Sequence, residues 1–473
     1  MSTIRNVRGR RVWDSRGQPT VEVTITLDNG LAARAIAPAG ASRGSREAID
    51  LRDGSDALGG KDVQAALRSV NETIGPALIG MPVGGQAELD QKILSLDTSP
   101  LKASLGGNAT IATSLAAIHA AALDAGKPLW RHIADVYGCE PALPLPEIQI
   151  FGGGAHAGRR VDIQDFMVIV PGAADFEEAL EVTSEIYFAA GAIMSKRGRL
   201  AGVADEGGWW PLFDSNEQAL ETLVTAIEHA GEKPGERVVI SLDIAASEFA
   251  ANGRYRLALE DRELDSSALI DLLGGWLDDY PIASIEDPLA EDDEEGMVEF
   301  TRRFGDRVQI IGDDYVVTNA KLVEQAAAAG ACNAVLVKVN QAGTLTEAIE
   351  TFRAAESAGW RSVVSARSGE TEDVTISHLS TGLGCGQLKV GSFTRSERMA
   401  KWNECLRIQD VLGASTFVKG APLINTWWGK KHLGGHQSEY PGECPGKYRS
   451  EHPSERPGEY PRASTRASTR EPT

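Results

Sequence analysis

The segment YPIASIEDPL, residues 280–289, decides the fold. A short apolar run, Ile282 to Ile285, leads straight into two acids, Glu286 and Asp287. Such a run reads as a buried strand whose far end is polar. The pattern recurs along the chain in IQDFMVIV (163–170), RVVISLDIAASEF (237–249), VQIIGDDYVVTN (308–319), NAVLVKVNQAG (333–343), RSVVSARSGE (361–370) and GQLKVGS (386–392). The polar residues near the strand ends are Asp243, Glu286, Asp313, Lys338, Arg367 and Lys389, separated by 43, 27, 25, 29 and 22 residues. Each interval holds a strand and a covering helix. Seven or eight such units predict an α/β protein with a (β/α)8-type barrel over 140–425, its chemistry at the C-terminal ends of the strands. An open doubly wound sheet is the alternative the pattern leaves.

Before the barrel, the alternating PTVEVTITLDNGLAARAIAP (19–38) predicts two or three antiparallel strands turning at Asp28-Asn29-Gly30. The loop PAGASRG (38–44) and the Ala-rich helical stretch NATIATSLAAIHAAALDAG (108–126) follow. Residues 1–135 therefore read as an α+β unit whose loop either closes over the barrel mouth or is a plain exposed linker. From 430 to 473, short Pro/Gly/Glu units and a repeated RAST read as a disordered tail.

Charge narrows the partners. Among 473 residues the net charge is −20, which argues against nucleic acid or an anionic membrane as a partner but admits a small anionic substrate held by metal or a local cation cluster. No run of 18 apolar residues suggests a membrane span. The N-terminus lacks an apolar secretory core, and five scattered cysteines without a CxxC pair suit a reduced, cytoplasmic setting.

Asp243, Glu286 and Asp313 are hard oxygen donors at three strand ends, the set that suits Mg2+. Any one alone could be an ordinary helix N-cap. The doublets Glu286-Asp287 and Asp313-Asp314 leave open which member points inward. Lys338 sits in an apolar strand, on one face with Leu336 and Asn340 by alternation. Burial beside a dication would lower its pKa and make it a base; a structural ion pair with a barrel acid is the plainer alternative. Lys389 is a second cation for a carboxylate or phosphate. In VADEGGWW (203–210), the paired glycines after Glu206 allow positive φ or close approach, so the acid could donate a proton or simply mark a turn. His156, in FGGGAHAGRR (151–160), is equally open.

Together these segments resemble enolase over nearly all of residues 3–420. WDSRGQPTVEV, HAG, DEGG, LDIAASEF, SIEDPLAEDD, GDDYVVTN, VKVNQAGTLTE, RSGETED, LKVGS and RSERMAKWNECLRI stand in that family's order and spacing. The resemblance implies a lid domain on a barrel, and Mg2+-dependent β-elimination of water from a 2-phosphoglycerate-like substrate. It implies a homodimer or larger assembly with the N-terminal domain at the interface. Asp243, Glu286 and Asp313 match the ligands of a first Mg2+ and Ser42 that of a second. Lys338 matches the general base and Glu206 the acid. Arg367 and Ser368 match phosphate contacts, Lys389 a carboxylate contact, and His156 a further substrate-side group.

The departures are specific. Ala39 stands where the family has serine, Asp165 where it has glutamate, Ala366 where it has histidine, and Gly153 lies where an NGG pattern is expected. Ala39 and Ala366 predict lost volume and donors beside Arg367 and Ser368. The first expectation is therefore an altered, phosphonylated substrate, as in formation of carboxyphosphonoenolpyruvate in phosphonate and phosphinate antibiotic pathways. The second is a glycolytic enolase that tolerates the changes, and the third an inactive binding homologue.

Overall fold

The structure is a computed structural model that describes residues 2–434. The tail expected from 430 lies outside the described residues except at its start, where Lys430, Lys431 and His432 close the helix Trp427–His432. No single helix among the described residues is long and apolar enough to cross a membrane.

The chain opens with an antiparallel sheet of β1 (Ile4–Trp13), β2 (Pro19–Leu27) and β3 (Ala32–Ile36). The β2–β3 turn falls at Asp28-Asn29-Gly30, where the Asn29 side chain accepts the Leu31 N–H at 3.0 Å. The helix Gly107–Asp124 lies across β2 and β3. It is buried along most of its length, and its alanines let helix and sheet backbones approach closely.

Eight strands among the described residues close a barrel. They are β4 (Leu145–Gly152), β5 (Asp165–Ile169) and β6 (Val239–Asp243), then β10 (Ile282–Glu286), β11 (Gln309–Gly312), β12 (Ala334–Val337), β13 (Arg361–Ser365) and β14 (Gly386–Ser392). A small separate sheet, β7 (Ala250–Ala251), β8 (Arg254–Leu257) and β9 (Arg262–Leu264), follows β6.

The expected barrel is correct, with one strand reversed. β5, from IQDFMVIV, runs antiparallel to both β4 and β6, while the other barrel pairings are parallel. The reason is chain length. Residues 153–164 hold only a 3-10 turn, Gly154–Ala157, and cannot supply the crossover helix that a parallel neighbour needs. The reversal puts the first residue of β5, Asp165, in register with Asp243 at the last residue of β6. It also requires two helices before β6, Phe176–Lys196 and Asn216–His229, and the segment between them carries Glu206 back to the barrel mouth.

Inside the barrel, period-2 alternation stacks the side chains in layers. Gln309 and Gln387 bond each other at 2.7 Å near the floor, and Ser284 donates to Gln309 at 3.0 Å. Ile311, Leu336 and Val363 form a thin apolar layer above them. The charged residues cap that layer.

The Gly107–Asp124 helix gives a first test. Ala116 is fully buried on it. Ala116→Leu should overpack its surroundings and lower stability by about 1–3 kcal/mol, read from the urea midpoint; an unchanged midpoint would mean that the packing around the helix has room for the larger side chain.

Candidate active site

Six of the eight barrel strands deliver one functional side chain each at the same end. Asp243 and Glu286 terminate β6 and β10, and they are paired in register. Asp313 follows β11, Lys338 follows β12, Arg367 lies two residues past β13, and Lys389 lies within β14. All are buried.

The doublets are resolved by the backbone. Asp287 takes a positive φ of 40° and turns away from the barrel axis, so that its carboxylate accepts the N–H groups of Asp313 at 2.9 Å and Asp314 at 2.7 Å. Burial, then the Asp313 charge, pushes Asp287 up to about 8. Glu286 and Asp313 are the inward members. The strand at Lys338 ends at Val337, and a single helical turn, Val339–Ala342, takes over. Alternation therefore holds for Leu336 and Lys338 but not for Asn340. Asn340 nonetheless reaches the site, where its side-chain oxygen accepts from Arg367 at 3.0 Å.

Two lysines sit among the acids. Lys389 Nζ lies 2.9 Å from Asp243, 2.8 Å from Glu286 and 3.5 Å from Asp165. Lys338 Nζ pairs with Asp313, whose other oxygen accepts from Gln341 at 2.9 Å. Burial alone would lower both lysines, but the carboxylates outweigh it and raise them, Asp313 for Lys338 and Asp243 for Lys389. Beside the carboxylates alone the Lys338 ammonium is favoured; the lowering expected from the sequence is tied to a bound dication. The Lys338–Asp313 contact is an ion pair, and it is compatible with either role the sequence allows for the lysine.

A second arm faces them. Gly207 takes φ +94°, and a side chain on Gly208 would strike Gln149, so the glycines after Glu206 are required as expected. Gln149 accepts the Gly208 N–H at 2.9 Å and donates to Asp165. His156 Nδ1 lies 3.1 Å from Asp165, and Nε2 lies 3.7 Å from Glu206. Burial pulls the imidazole down, but Glu206 and Asp165 outweigh it and lift it to about 9. Burial would likewise raise Asp165, but His156 and Lys389 hold it well below the usual carboxylate range.

The PAGASRG loop lies closed on the barrel mouth. The Arg367 guanidinium donates to Glu47 at 2.9 and 3.1 Å, to the Ser42 carbonyl at 2.9 Å and to Asn340. A Cβ on Gly40 would run into that guanidinium, so only glycine fits there. Ser368 Oγ accepts the Ala41 N–H at 2.7 Å. Ala39 exchanges backbone hydrogen bonds with Gly369 at 2.9 and 2.8 Å. Of the two alanines expected to open space beside the substrate, only Ala366 borders the cavity. Ala39 serves the docking of the loop.

The closed loop leaves a small polar cavity at the barrel mouth. Ser42, His156, Asp165, Glu206, Asp243, Lys338, Ala366, Arg367, Ser368 and Lys389 all line it. Glu286 and Asp313 stand behind, in contact with the two lysines. Glu47, Gln149, Gln164 and Gln341 were not expected from sequence. Gln149 could have been found, since Glu147 and Gln149 alternate with apolar residues in β4 as an inward face would. Glu47 carries no such signal.

The donor set fits a hard dication. Glu286 Oε1, Asp165 Oδ2 and Gln164 Oε1 are buried without a hydrogen-bond partner. Burial, then the adjacent Asp243, pushes Glu286 well above the ordinary carboxylate value even with Lys389 beside it. The acids are thus short of positive charge. Asp243, Glu286 and Asp313 do not converge on one point, because Lys389 sits between the first two and Asp313 turns to Lys338. Tighter groups are His156/Asp165/Glu206 and Asp287/Asp313/Asp314.

Comparison with known proteins agrees with this layout. The family described as "Enolase, N-terminal domain" matches residues 4–133, and "Enolase, C-terminal TIM barrel domain" matches residues 140–426. A curated relative named Enolase 1, from Desulfitobacterium hafniense (strain Y51), is 46% identical over 415 residues, which covers 87% of this chain and 94% of that protein.

Two outcomes follow from the geometry. Glu47→Ala leaves Arg367 as an uncompensated buried charge and should cost about 3–5 kcal/mol; an unshifted urea midpoint would mean the pair does not form. His156 is raised from 6.5 to about 9, so its contribution to stability is full below pH 6.5 and is lost as pH rises through about 9. Urea titrations across that window should show the loss in wild type and a flatter profile in His156→Gln; parallel profiles would remove His156 as the cause.

Proposed function

The chain belongs to the enolase family of Mg2+-dependent hydro-lyases, and we propose that its substrate is 2-phosphoglycerate, from which it removes water to give phosphoenolpyruvate. The observation that carries this reading is that Lys338 and Glu206, the base and acid expected for the elimination, line one cavity together with Arg367, Ser368 and Lys389.

In this reading Arg367 and Ser368 hold the phosphate and Lys389 the carboxylate. Lys338 takes the C2 proton at Nζ. Its pairing with Asp313 keeps the amine charged, so it is ready as a base only when the Asp313 charge is engaged elsewhere. Glu206 gives a proton to the departing hydroxyl, with His156 and Asp165 fixing the polarity behind it. Asp243, Glu286 and Asp313 would hold one Mg2+ and Ser42 would join a second. Bound there, the ions supply the positive charge that makes a proton α to a carboxylate removable, their general role in enolase-superfamily sites. The closed PAGASRG loop excludes water from the intermediate.

The kinship with Enolase 1 along most of its length favours this ordinary substrate over the altered one that the departures suggested first. One observation keeps the second reading in view: Ala366 borders the cavity beside Arg367, where extra volume would admit a carboxyl on phosphorus and so the carboxyphosphonoenolpyruvate reaction.

With Mg2+ and 2-phosphoglycerate, the enol product's ultraviolet absorbance should appear at about 10 s−1 or faster, an ordinary enzyme rate. Lys338→Ala should lower kcat by roughly 10^2- to 10^4-fold. Intact Mg2+ binding with no turnover, together with elimination from a phosphonoformyl ester of glycerate, would transfer the assignment to the second reading. Loss of both Mg2+ binding and turnover would leave neither.

A further inference from the structure

We propose that Arg398 is a positioning residue for substrate binding: its buried guanidinium ties the loop that carries Arg367 and Ser368 to the strand that carries Lys389, and so fixes the spacing of the two anion-binding ends of the site. The inference rests on the elimination proposed above and deepens it.

Arg398 comes from the helix Ser396–Leu412 and is 0% exposed. Nη1 donates to the Arg367 carbonyl at 2.6 Å and to the Val390 carbonyl at 2.9 Å, and Nη2 donates to the Ser368 carbonyl at 2.6 Å. Two of these carbonyls belong to the residues assigned to the phosphate. The third belongs to the residue after Lys389. The parallel ladder between β13 and β14 ends with the Ala366 N–H on the Lys389 carbonyl. Beyond it, the loop leaves the sheet and its carbonyls need other donors. One planar fork spanning three carbonyls on two segments sets their separation in a way that a single ammonium cannot.

The charge is not there for a tight ion pair. Its nearest carboxylates are Glu397 at 3.7 Å and Glu206 at 4.0 Å, and Nε has no hydrogen-bond partner. Burying a guanidinium on these terms is expensive, and filling volume would not require it. One turn later the same helix grasps the loop again. Lys401 Nζ lies 3.0 Å from Glu370, whose other oxygen accepts the Arg367 N–H at 3.0 Å, and it also donates to the Thr371 carbonyl at 3.0 Å. The helix thus holds the loop on both sides of Ser368.

The test uses full-length wild type, Arg398→Lys and Arg398→Gln, with Trp402→Phe as a control. Trp402 lies on the same helix and donates to the Ser392 carbonyl at 3.2 Å, away from the loop. With Mg2+ present, KM and kcat for 2-phosphoglycerate, the calorimetric Kd for inorganic phosphate and the urea midpoint are measured together. Arg398→Gln should raise KM and the phosphate Kd by about tenfold to a hundredfold, the size expected for losing charged hydrogen bonds, with a smaller fall in kcat. Arg398→Lys should recover part of that loss, and Trp402→Phe should move the urea midpoint alone. If Arg398→Gln does not fold, Arg398→Lys against wild type decides. Phosphate affinity within about twofold of wild type in both folded variants overturns the proposal, as does an equal KM change in Trp402→Phe. If wild type fails to turn over 2-phosphoglycerate, the functional reading falls, and the role of Arg398 is then judged on phosphate affinity alone.

Discussion

Lys389 lies within 3.5 Å of three buried carboxylates, and the barrel mouth is organised around that concentration of charge. Isolated charges in such a place would be prohibitively unfavourable, so each must be met by an opposite charge or by several donors. Lys338 meets Asp313, Arg367 meets Glu47, and His156 meets Asp165. The balance still leans negative, as the unpartnered Glu286 oxygen shows. A site arranged this way is ready for added positive charge, and Mg2+ supplies it in this family.

The second constraint is the backbone. Once a strand passes the end of its ladder, its carbonyls and N–H groups need partners from elsewhere. Asp287 serves the N–H groups of Asp313 and Asp314, and Arg398 serves the carbonyls of Arg367 and Ser368. Both are ionisable side chains given over to peptide groups, and both sit directly behind a functional residue. The close fit of Gly40 against Arg367, and of Gly208 against Gln149, belongs to the same economy of space.

Much of this was legible in the sequence. Strand-end polarity and regular spacing gave the barrel and its mouth, because parallel βα units repeat and their chemistry is confined to one end. The turn at Asn29-Gly30 and the glycines after Glu206 were readable because their backbone needs are local. The reversal of β5 was not read, since its residues look like any buried strand and only the short link before it records the direction. The charge state of Lys338 is not legible in the sequence alone, because it depends on Asp313, 25 residues away, and on whether that acid is already engaged. The substrate preference inferred from Ala39 and Ala366 treated the two alike, whereas one faces the cavity and the other faces Gly369. Glu47 was invisible because its partner lies in the other half of the chain.

The contact between Glu47 and Arg367 spans 320 residues. Synthesis is directional, and at about 5–20 residues per second the lid loop leaves the ribosome tens of seconds before the arginine that anchors it. During that interval the α+β unit can acquire its own core, but its loop has nothing to dock against. The last strands and the helix bearing Arg398 must arrive before the mouth can be sealed. The pairing of β14 with β4 that closes the barrel is nearly as remote in sequence, so barrel closure and the sealing of the mouth both wait for the last strands. Such a chain can complete its N-terminal sheet early, but it gains a closed barrel and a working mouth only when its last strands arrive.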